Sequence, residues 1–371
     1  MHPFIGEGRA SGTCALPRGP DVRSDGVRPR PEVVEEVTGT VVPVTQDDAP
    51  RPGGIGLVLG AGGSVGGAFH AGVLAALEEA TGWDPRQATV VVGTSAGSIT
   101  GTGLRLGLST ADGLARAEGR PLSPAGARLM AGVGSSRPSL PLETNGRRFR
   151  APGDVASTLA RAAARPFAAR PLALLAGLLP DGAMGTEVIS DSIAAVADRG
   201  WPDDPLWICA VRRRDGRRVV FGRGDRPPLP AAVAASCAIP GFFRPVEVEG
   251  QDHIDGGAHS PTNADVVRDL GLDLVVVSSP MSVGGRGLRV ALDQPARRWA
   301  RSLLGAEAVR LRRRGTAVLA LQPTADDVGV MGGDALDRSR LGPIARQARE
   351  STLRRLSRPD VADRLAVLHR S

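Results

Sequence analysis

Two buried strands, each followed by a glycine-rich turn and a helix, constrain the fold of this chain more than any other feature. The run IGLVLG at 55–60 leads into GAGGSVGGA and then into an apolar helical stretch. The run ATVVVG at 88–93 leads into the turn GTSAG and a second helix, which we predict from Ala96 to Leu106. Apolar strands that alternate with helices indicate a parallel sheet covered on both faces. We therefore predict an α/β fold of three layers, α/β/α, with a mainly parallel central sheet.

Composition and the positions of Gly and Pro divide the chain into three segments. Residues 1–53 are rich in Pro, Gly, Asp and Arg, and we predict a mostly disordered leader there. Residues 54–290 carry the strands and glycine motifs and are predicted to form one domain, in which 107–200 is an insertion that caps or lines a pocket. Residues 291–371 are predicted to form helices and one strand that pack on the same domain.

The middle of the chain shows further local signals. Two β-rich runs around Asp215-Gly216 predict a hairpin with a tight turn. The run LPAAVAASCA at 229–238 predicts a helix that stops at IPGFF, and another helix is predicted to run through Leu270. Cys237, within that first helical run, is interpreted as a buried packing thiol.

The net charge of +7 and the isoelectric point near 10.9 would suit a nucleic acid or an anionic membrane as partner. However, all 46 basic residues are Arg, and the chain has neither Lys nor Tyr. This pattern is typical of codon bias in a GC-rich genome. We therefore interpret most arginines as solvated surface residues and expect no nucleic-acid partner.

The cysteine content and the length of the apolar runs indicate the cellular compartment in which the protein is expected. The three cysteines are odd in number and widely spaced, which argues against a disulfide framework or a metal cluster. The opening residues lack the apolar core of a secretory signal, and the longest apolar runs are too short to span a bilayer. We expect a cytoplasmic protein, with peripheral membrane contact as a second expectation.

The turn GTSAG fits the G-x-S-x-G pattern of a nucleophile elbow. A nucleophile on a tight turn between strand and helix leaves no room for side chains two positions before and after it. Gly93 and Gly97 remove those side chains around Ser95. The following helix points its first amides at developing negative charge. The alternative is a serine that caps a helix beside incidental glycines.

The glycine-rich turn GAGGSVGG has two interpretations, because a strand, a glycine turn and a helix also open a dinucleotide-binding fold. The G-x-G-x-x-G template fails in both frames: position six is Val65 when the frame starts at Gly60, and position three is Ser64 when it starts at Gly62. The next strand also lacks the terminal acidic residue that ribose binding needs. A glycine loop can instead present backbone amides to an oxyanion, which accounts for both glycine motifs.

A serine nucleophile needs a base, and the chain has five histidines, at positions 2, 70, 253, 259 and 369. Two lie near the chain ends, and the one at 70 lies in the first helix, where packing is its expected role. His253 and His259 flank Asp255, so a Ser–Asp–His triad stays open. Asp255 precedes Gly256 and Gly257, a setting that lets a carboxylate project into a cleft. It would act alone only if burial raises its pKa above the usual ~3.9, or if the serine proton moves late.

Four motifs in this order resemble the patatin-like phospholipases, the bacterial branch of the patatin family of serine lipid acyl hydrolases. They are the loop GAGGSVGGAFHAGVLAAL, the elbow GTSAG, the segment ASCAIPGFF and the block DGGAHSPTN. The resemblance runs from about Ile55 to Ser279. It implies a Ser–Asp dyad without histidine, in which Ser95 is the nucleophile and Asp255 the base. The implied oxyanion hole consists of backbone amides of the glycine loop, those of Gly62, Gly63 and Ser64.

One position departs from the family pattern. The family usually carries Arg or Lys late in the glycine loop, where this chain has Gly66. A cation that would steady the loop or bind a head group is therefore missing, whereas the amide donors are retained.

The resemblance implies a hydrolase of lipid or other carboxylic esters that needs neither a metal nor an organic cofactor. Two alternatives stay open: a catalytically silent lipid-binding protein on the same fold, and a dinucleotide-binding oxidoreductase. The sequence leaves the acyl substrate and the oligomeric state open.

Overall fold

The computed structural model describes residues 53–133, 176, 179, 181–284, 295–359 and 361. All of them belong to the unit Pro43–Ser371. The predicted leader lies outside the described residues except for Gly53. The predicted insertion at 107–200 is described only in part, so its role and the domain boundaries stay predictions.

Eight strands in the described part of the chain form one sheet. They are β1 (Ile55–Leu59), β2 (Val90–Thr94), β3 (Leu206–Arg212), β4 (Arg217–Phe221), β5 (Val246–Val248), β6 (Gln251–Asp255), β7 (Leu274–Ser278) and β8 (Ala317–Leu321). The order is β5-β6-β3-β2-β1-β7-β8, and β4 also pairs with β3. The run β3-β2-β1-β7-β8 is parallel, whereas β4, β5 and β6 pair antiparallel.

The described helices are numbered in chain order and lie between or after the strands. They are α1 (Gly63–Thr81), α2 (Ala96–Arg105), α3 (Thr110–Ala117), α4 (Pro124–Leu129), α5 (Glu187–Ala194), α6 (Leu229–Ser236), α7 (Pro295–Arg312), α8 (Ala325–Met331) and α9 (Leu341–Leu356). Short 3₁₀ turns lie at Pro85–Gln87, Gly256–Ala258 and Ala264–Val267. Within the residues described, no helix is both long enough and apolar enough to cross a membrane.

Alternate residues of the central strands face two separate hydrophobic cores. Leu57, Leu59 and Val91 pack in one core with residues of α1, α6 and α9. Val58 and Val92 pack in the other with residues of α7. Successive side chains of a strand point to opposite faces, so both faces of this sheet are covered by helices. The prediction of a three-layer α/β/α fold with a mainly parallel sheet is confirmed.

The sequence patterns were wrong at two places and missed one hairpin. Helix α1 begins at Gly63, inside the stretch expected to be a turn. The helix expected to run through Leu270 is only the 3₁₀ turn Ala264–Val267. The hairpin β5–β6 was not predicted; its turn places Glu249 and Gly250 at positive φ, 52° and 71°. The predicted hairpin at Asp215-Gly216 is present as β3–β4.

Strands β2 and β6 run toward each other along β3, so that their last residues meet end to end. The first half of β3 pairs with β2 and the second half with β6, while β4 occupies the opposite edge. Thr94, the last residue of β2, is the partner of Cys209, and Asp255, the last residue of β6, is the partner of Ala210. The turn after β2 and the end of β6 therefore meet at consecutive residues of β3.

Candidate active site

Ser95 occupies a strained turn between β2 and α2. Its backbone has φ 54° and ψ −121°, a conformation that non-glycine residues rarely adopt and that costs of order 1–3 kcal/mol. A Cβ at Gly97 would overlap the Leu59 carbonyl oxygen, and one at Gly93 would lie 2.7 Å from the Gly97 carbonyl oxygen. The turn can form only with glycines at these two positions. Ser95 itself is buried, with 4% of its surface exposed.

Asp255 lies next to Ser95 at the end of β6. The Ser95 hydroxyl lies beside the Asp255 carboxylate, close enough to lower its pKa. The Gly257 amide donates a hydrogen bond of 2.7 Å to Asp255 Oδ1, and the Asp255 amide donates to the Ala238 carbonyl at 2.8 Å. Burial raises the pKa of Asp255 from 3.8 to about 6, although the Ser95 hydroxyl and the Gly257 amide both lower it. The carboxyl therefore titrates closer to neutral pH than an exposed aspartate does.

Gly256 allows the Asp255 turn to pack against the sheet. A Cβ there would overlap the Cys209 carbonyl oxygen and lie 3.1 Å from Thr94 Cγ2. Only glycine fits between the end of β2 and the middle of β3. The approach of Asp255 to Ser95 therefore depends on the glycine that follows it.

The glycine loop supplies free backbone donors at the start of α1. Among the described residues, the amides of Gly62, Gly63 and Ser64 have no hydrogen-bond acceptor, whereas the next amide, that of Val65, donates to Ala335 O at 3.1 Å. Gly63 has φ 60°, and its missing Cβ leaves room for the Ala335 carbonyl. Unpaired amides at a helix start attract negative charge.

The glycine loop adjoins both other motifs. Because β1 and β2 are parallel neighbours, the loops that follow them emerge at the same edge of the sheet. Gly97 of the elbow packs against Leu59 and Gly60. The Ala61 amide donates to Pro261 O, in the loop after Asp255, at 2.7 Å. The three predicted motifs therefore converge on one place.

Gly66 lies one turn into α1 rather than in the loop. Its amide donates to Gly62 O at 2.7 Å, and a Cβ there would lie 3.4 Å from Pro280. The position faces a packed proline.

The described histidines have hydrogen-bond partners other than this pair. His70 is fully buried: its Nε2–H donates to Gly60 O at 2.7 Å, so its Nδ1 accepts from the Ser278 hydroxyl at 2.8 Å. Burial lowers its pKa to about 4, which keeps the ring neutral. His253 Nδ1 donates to Gln251 O at 2.8 Å, and its ring packs on Phe221.

His259 lies near Asp265, a carboxyl whose pKa is lowered, against the effect of burial, mainly by its hydrogen bond and ion pair with Arg218. Neither Ser95 nor Asp255 forms a hydrogen bond with a histidine in the part of the chain that the structure describes.

Three buried residues that the sequence did not single out surround the pair. Ser236 accepts a hydrogen bond from the Ser95 amide, and Asn263 contacts Thr94 and Gly256. Glu307 accepts hydrogen bonds from the loop after Asp255. Ser236 and Asn263 lie inside the motifs ASCAIPGFF and DGGAHSPTN, so the sequence offered a signal for them. Glu307 lies in none of the four motifs, so the sequence offered no signal for it.

Cys237 is buried, as the sequence suggested, but it also borders the pair. Its Sγ lies 3.8 Å from the Ser98 hydroxyl and near that of Ser95. Burial and the charge of Asp255 raise its pKa, so the thiol stays protonated.

A cavity of about 580 Å³ lies away from this site, between the second half of α1, α3 and α9. Charged side chains line it, among them Glu78, Glu79, Arg346 and Arg349. No residue of the Ser95 site takes part in it. Among the described residues, no group of His, Cys, Asp and Glu is arranged to hold a metal ion.

Comparison with known proteins decides the family. The model of the family described as patatin-like phospholipase matches residues 57–268, more than half of the chain. The chain belongs to the patatin-like phospholipase family. The match includes both strand–turn–helix units, Ser95 and Asp255. It ends before α7, so Glu307 lies outside it.

Two solved structures are similar to this chain. VipD from Legionella pneumophila shares 14% sequence identity, with a TM-score of 0.38, over 82% of this chain and 67% of that chain. The human GIVD cytosolic phospholipase A2, solved with methyl gamma-linolenyl fluorophosphonate inhibitor and terbium chloride, shares 14% identity, with a TM-score of 0.31, over 87% of this chain and 59% of that chain.

Proposed function

We propose that the protein is a serine acyl hydrolase that cleaves carboxylic ester bonds of lipids with Ser95 and Asp255 as a dyad. Membership in the patatin-like phospholipase family supports a lipid hydrolase function. The proximity of the Ser95 hydroxyl to the buried Asp255 carboxylate, with no histidine hydrogen-bonded to either residue among those described, carries the proposal of a dyad.

The reaction would proceed in two halves. Ser95 Oγ attacks the ester carbonyl carbon, and its proton passes to the Asp255 carboxylate. The carbon–oxygen bond to the alcohol then breaks, and the alcohol leaves with the proton from Asp255. Water attacks the resulting acyl-serine and gives its proton to Asp255, which returns it to Ser95 as the carboxylic acid departs. A pKa of about 6 lets Asp255 take and return a proton near neutral pH.

The oxyanion of both tetrahedral intermediates would be bound by the unpaired amides of Gly62, Gly63 and Ser64. These donors are fixed by the start of α1, so they need no reorganisation during the reaction. Loss of a single donor in such a site typically costs ~2.7–4 kcal/mol in the barrier. Backbone donors survive the replacement of the family's usual basic residue by Gly66, which is consistent with an active site.

Apolar side chains exposed on the surface support a lipid substrate. Ile99, one helical turn after Ser95, is 41% exposed, and Leu179 and Val188 are 45% and 52% exposed. We extend the proposal to peripheral contact of a cytoplasmic protein with a membrane surface. Cosedimentation with phosphatidylcholine and phosphatidylglycerol vesicles, compared between wild type and Ile99→Ser, measures such contact. Equal binding to vesicles by both proteins would contradict a role of Ile99.

Hydrolysis of short-chain p-nitrophenyl esters and of phospholipid vesicles tests the reaction itself. Ser95→Ala and Asp255→Asn should lose at least ~1,000-fold in kcat/KM, since each removes a group that takes part in every step. Ser351→Ala is the matched control, because it removes a buried serine hydroxyl on α9 that donates to Ala348 O at 3.2 Å. Hydrolysis that survives both dyad substitutions would exclude this mechanism.

Wild-type protein that binds lipid but does not hydrolyse any of these esters would instead support the silent lipid-binding alternative. Binding of NAD(P) without esterase activity would support the oxidoreductase.

A further inference from the structure

The Asn263 side chain contacts the turn at each of the two proposed catalytic residues. It is fully buried, and the two hydrogens of its Nδ2 are shared among three acceptors: Ser260 O at 2.6 Å, Thr94 Oγ1 at 3.1 Å and Gly256 O at 3.3 Å. Thr94 directly precedes Ser95, and Gly256 directly follows Asp255. A single amide group therefore joins the residue before the nucleophile to the residue after the base.

The two turns are also both attached to the end of α6, since the Ser95 amide donates to Ser236 Oγ and the Asp255 amide donates to Ala238 O. Strands β2 and β6 pair with β3 and not with each other, so the sheet fixes their distance only through β3. We propose that Asn263 is a positioning residue that holds the Ser95 elbow and the Asp255 turn at the separation at which the Ser95 hydroxyl reaches the carboxylate. This inference rests on the proposed function.

The backbone of Asn263 is held in place independently of its amide. Glu307, on α7, accepts hydrogen bonds from Ser260 Oγ and Thr262 Oγ, both at 2.6 Å, and from the Ala264 amide at 2.9 Å. These donors lie on both sides of Asn263. The same carboxylate is fully buried, so it serves the loop and not the solvent.

Arg218 binds the carbonyl oxygen of the Asn263 side chain. It donates to Asn263 Oδ1 at 3.2 Å and forms an ion pair with Asp265 at 2.6 Å. If the amide of Asn263 is removed, Arg218 keeps Asp265 as its partner and Glu307 keeps the loop. A variant at Asn263 should therefore fold, while the two turns lose the link through this side chain and keep only their separate bonds to residues 236 and 238.

The backbone conformation of Asn263 selects the informative variants. With φ 52° and ψ 28° it is left-handed, a region that glycine and aspartate tolerate. Asn263→Gly removes the amide and keeps the backbone. Asn263→Asp keeps the shape and the Arg218 contact, but places an oxygen where the Gly256 and Ser260 carbonyl oxygens require a donor.

Steady-state kinetics of ester hydrolysis with the full-length chain test the inference. We expect ~10- to 100-fold lower kcat for Asn263→Gly, and at least as large a loss for Asn263→Asp, because a shift of about 1 Å in reacting groups costs on the order of 100-fold. KM should stay within about twofold. Circular dichroism and thermal melting show whether each variant is folded, and Ser351→Ala is the control for loss of a buried hydrogen bond elsewhere.

The pH profile separates positioning from a general structural role. The Ser95 hydroxyl lowers the pKa of Asp255, so a longer Ser95–Asp255 distance should move the acidic limb of kcat/KM to higher pH. Among the described residues, the Cys237 thiol also faces Asp255, and it stays protonated because burial raises its pKa. A variant that is only less folded would lose active-site titre with a fluorophosphonate probe and keep the wild-type limb.

The outcomes are distinct. Full kcat in Asn263→Gly, or a loss of kcat that matches lost titre with an unchanged limb, overturns the positioning role. Ser95→Ala and Asp255→Asn are assayed in the same series: if they keep activity, the dyad itself is wrong and the inference falls with it. If they lose activity while Asn263→Gly retains it, only the inference fails.

Discussion

The Ser95 amide donates a hydrogen bond of 2.9 Å to the Ser236 hydroxyl, which donates in turn to Cys209 O at 2.7 Å. Ser236 is fully buried at the end of α6. The strained backbone of Ser95 is therefore attached to the central strand β3 through one side chain. This link explains how a residue at φ 54° keeps a fixed orientation.

We predict that Ser236→Ala weakens both folding and catalysis. It leaves the Ser95 N–H without its buried acceptor, which costs ~1–3 kcal/mol in the free energy of unfolding. It also releases the elbow, so kcat should fall ~10- to 100-fold. Urea denaturation and ester hydrolysis measure the two effects.

Ser98→Ala is the matched control for this prediction. The Ser98 hydroxyl also contacts Ser95, at its carbonyl oxygen, but that oxygen keeps the Ser98 amide as a donor at 2.8 Å. Its kcat should stay within about threefold of wild type. Equal losses in both variants would show that the Ser236 bond has no special role in the elbow.

The acidic limb of the pH profile should report the ionisation of Asp255. Because only the carboxylate accepts the Ser95 proton, kcat/KM should rise about tenfold per pH unit below an apparent pKa of about 6 and level off above it. His253→Ala and His259→Ala should keep this limb. If the acidic limb disappears, or kcat/KM falls by several orders of magnitude in either variant, the data would instead support a Ser–Asp–His triad.

The sequence predicts the parts of this site that depend on local sterics. Short apolar runs and glycine spacing place β1, β2 and the turn at Ser95, because the close approach of Gly97 to Leu59 excludes any side chain. The start of α1 was missed, since glycines at 63, 66 and 67 argue locally against a helix that tertiary packing nevertheless stabilises.

Contacts between distant residues could not be predicted in this way. Ser236 is 141 residues from Ser95, and Asn263 is 169 residues from Thr94. Their pairing follows from the sheet order, in which β6 joins β3 beside the end of β2, and no local pattern encodes that order. Likewise, the turn Ala264–Val267 stays short because Glu307 and Arg218 fix its first residues.

Asp255→Asn should stabilise the protein while abolishing the proposed activity. Burial raises the pKa of Asp255 from 3.8 to about 6, so the folded state binds this proton more tightly than the unfolded state. The contribution of Asp255 to the free energy of unfolding therefore falls as the pH rises from about 4 to 6. One pKa unit corresponds to about 1.4 kcal/mol, so the charged carboxyl costs ~3 kcal/mol at pH 7.

Equilibrium urea unfolding at pH 4.5 and pH 7 measures this effect. The variant should exceed wild type by up to ~3 kcal/mol at pH 7, and the difference should shrink at pH 4.5 because wild type is then protonated. A variant that is less stable than wild type at pH 7 would show that the buried charge is compensated.

His70 should have the opposite dependence on pH. Burial lowers its pKa from 6.5 to about 4, so the unfolded state binds this proton more tightly and stability falls as the pH drops through that range. In His70→Gln, the hydrogen bonds to Gly60 and Ser278 are disturbed, and we expect a loss of ~1–3 kcal/mol at pH 7. The difference from wild type should narrow at pH 4.5, because only wild type must keep a buried imidazole neutral. Since the hydrogen bonds of the ring go to Gly60 and Ser278, the pH limb of kcat/KM should stay near 6 in the variant; loss of that limb would make His70 the base.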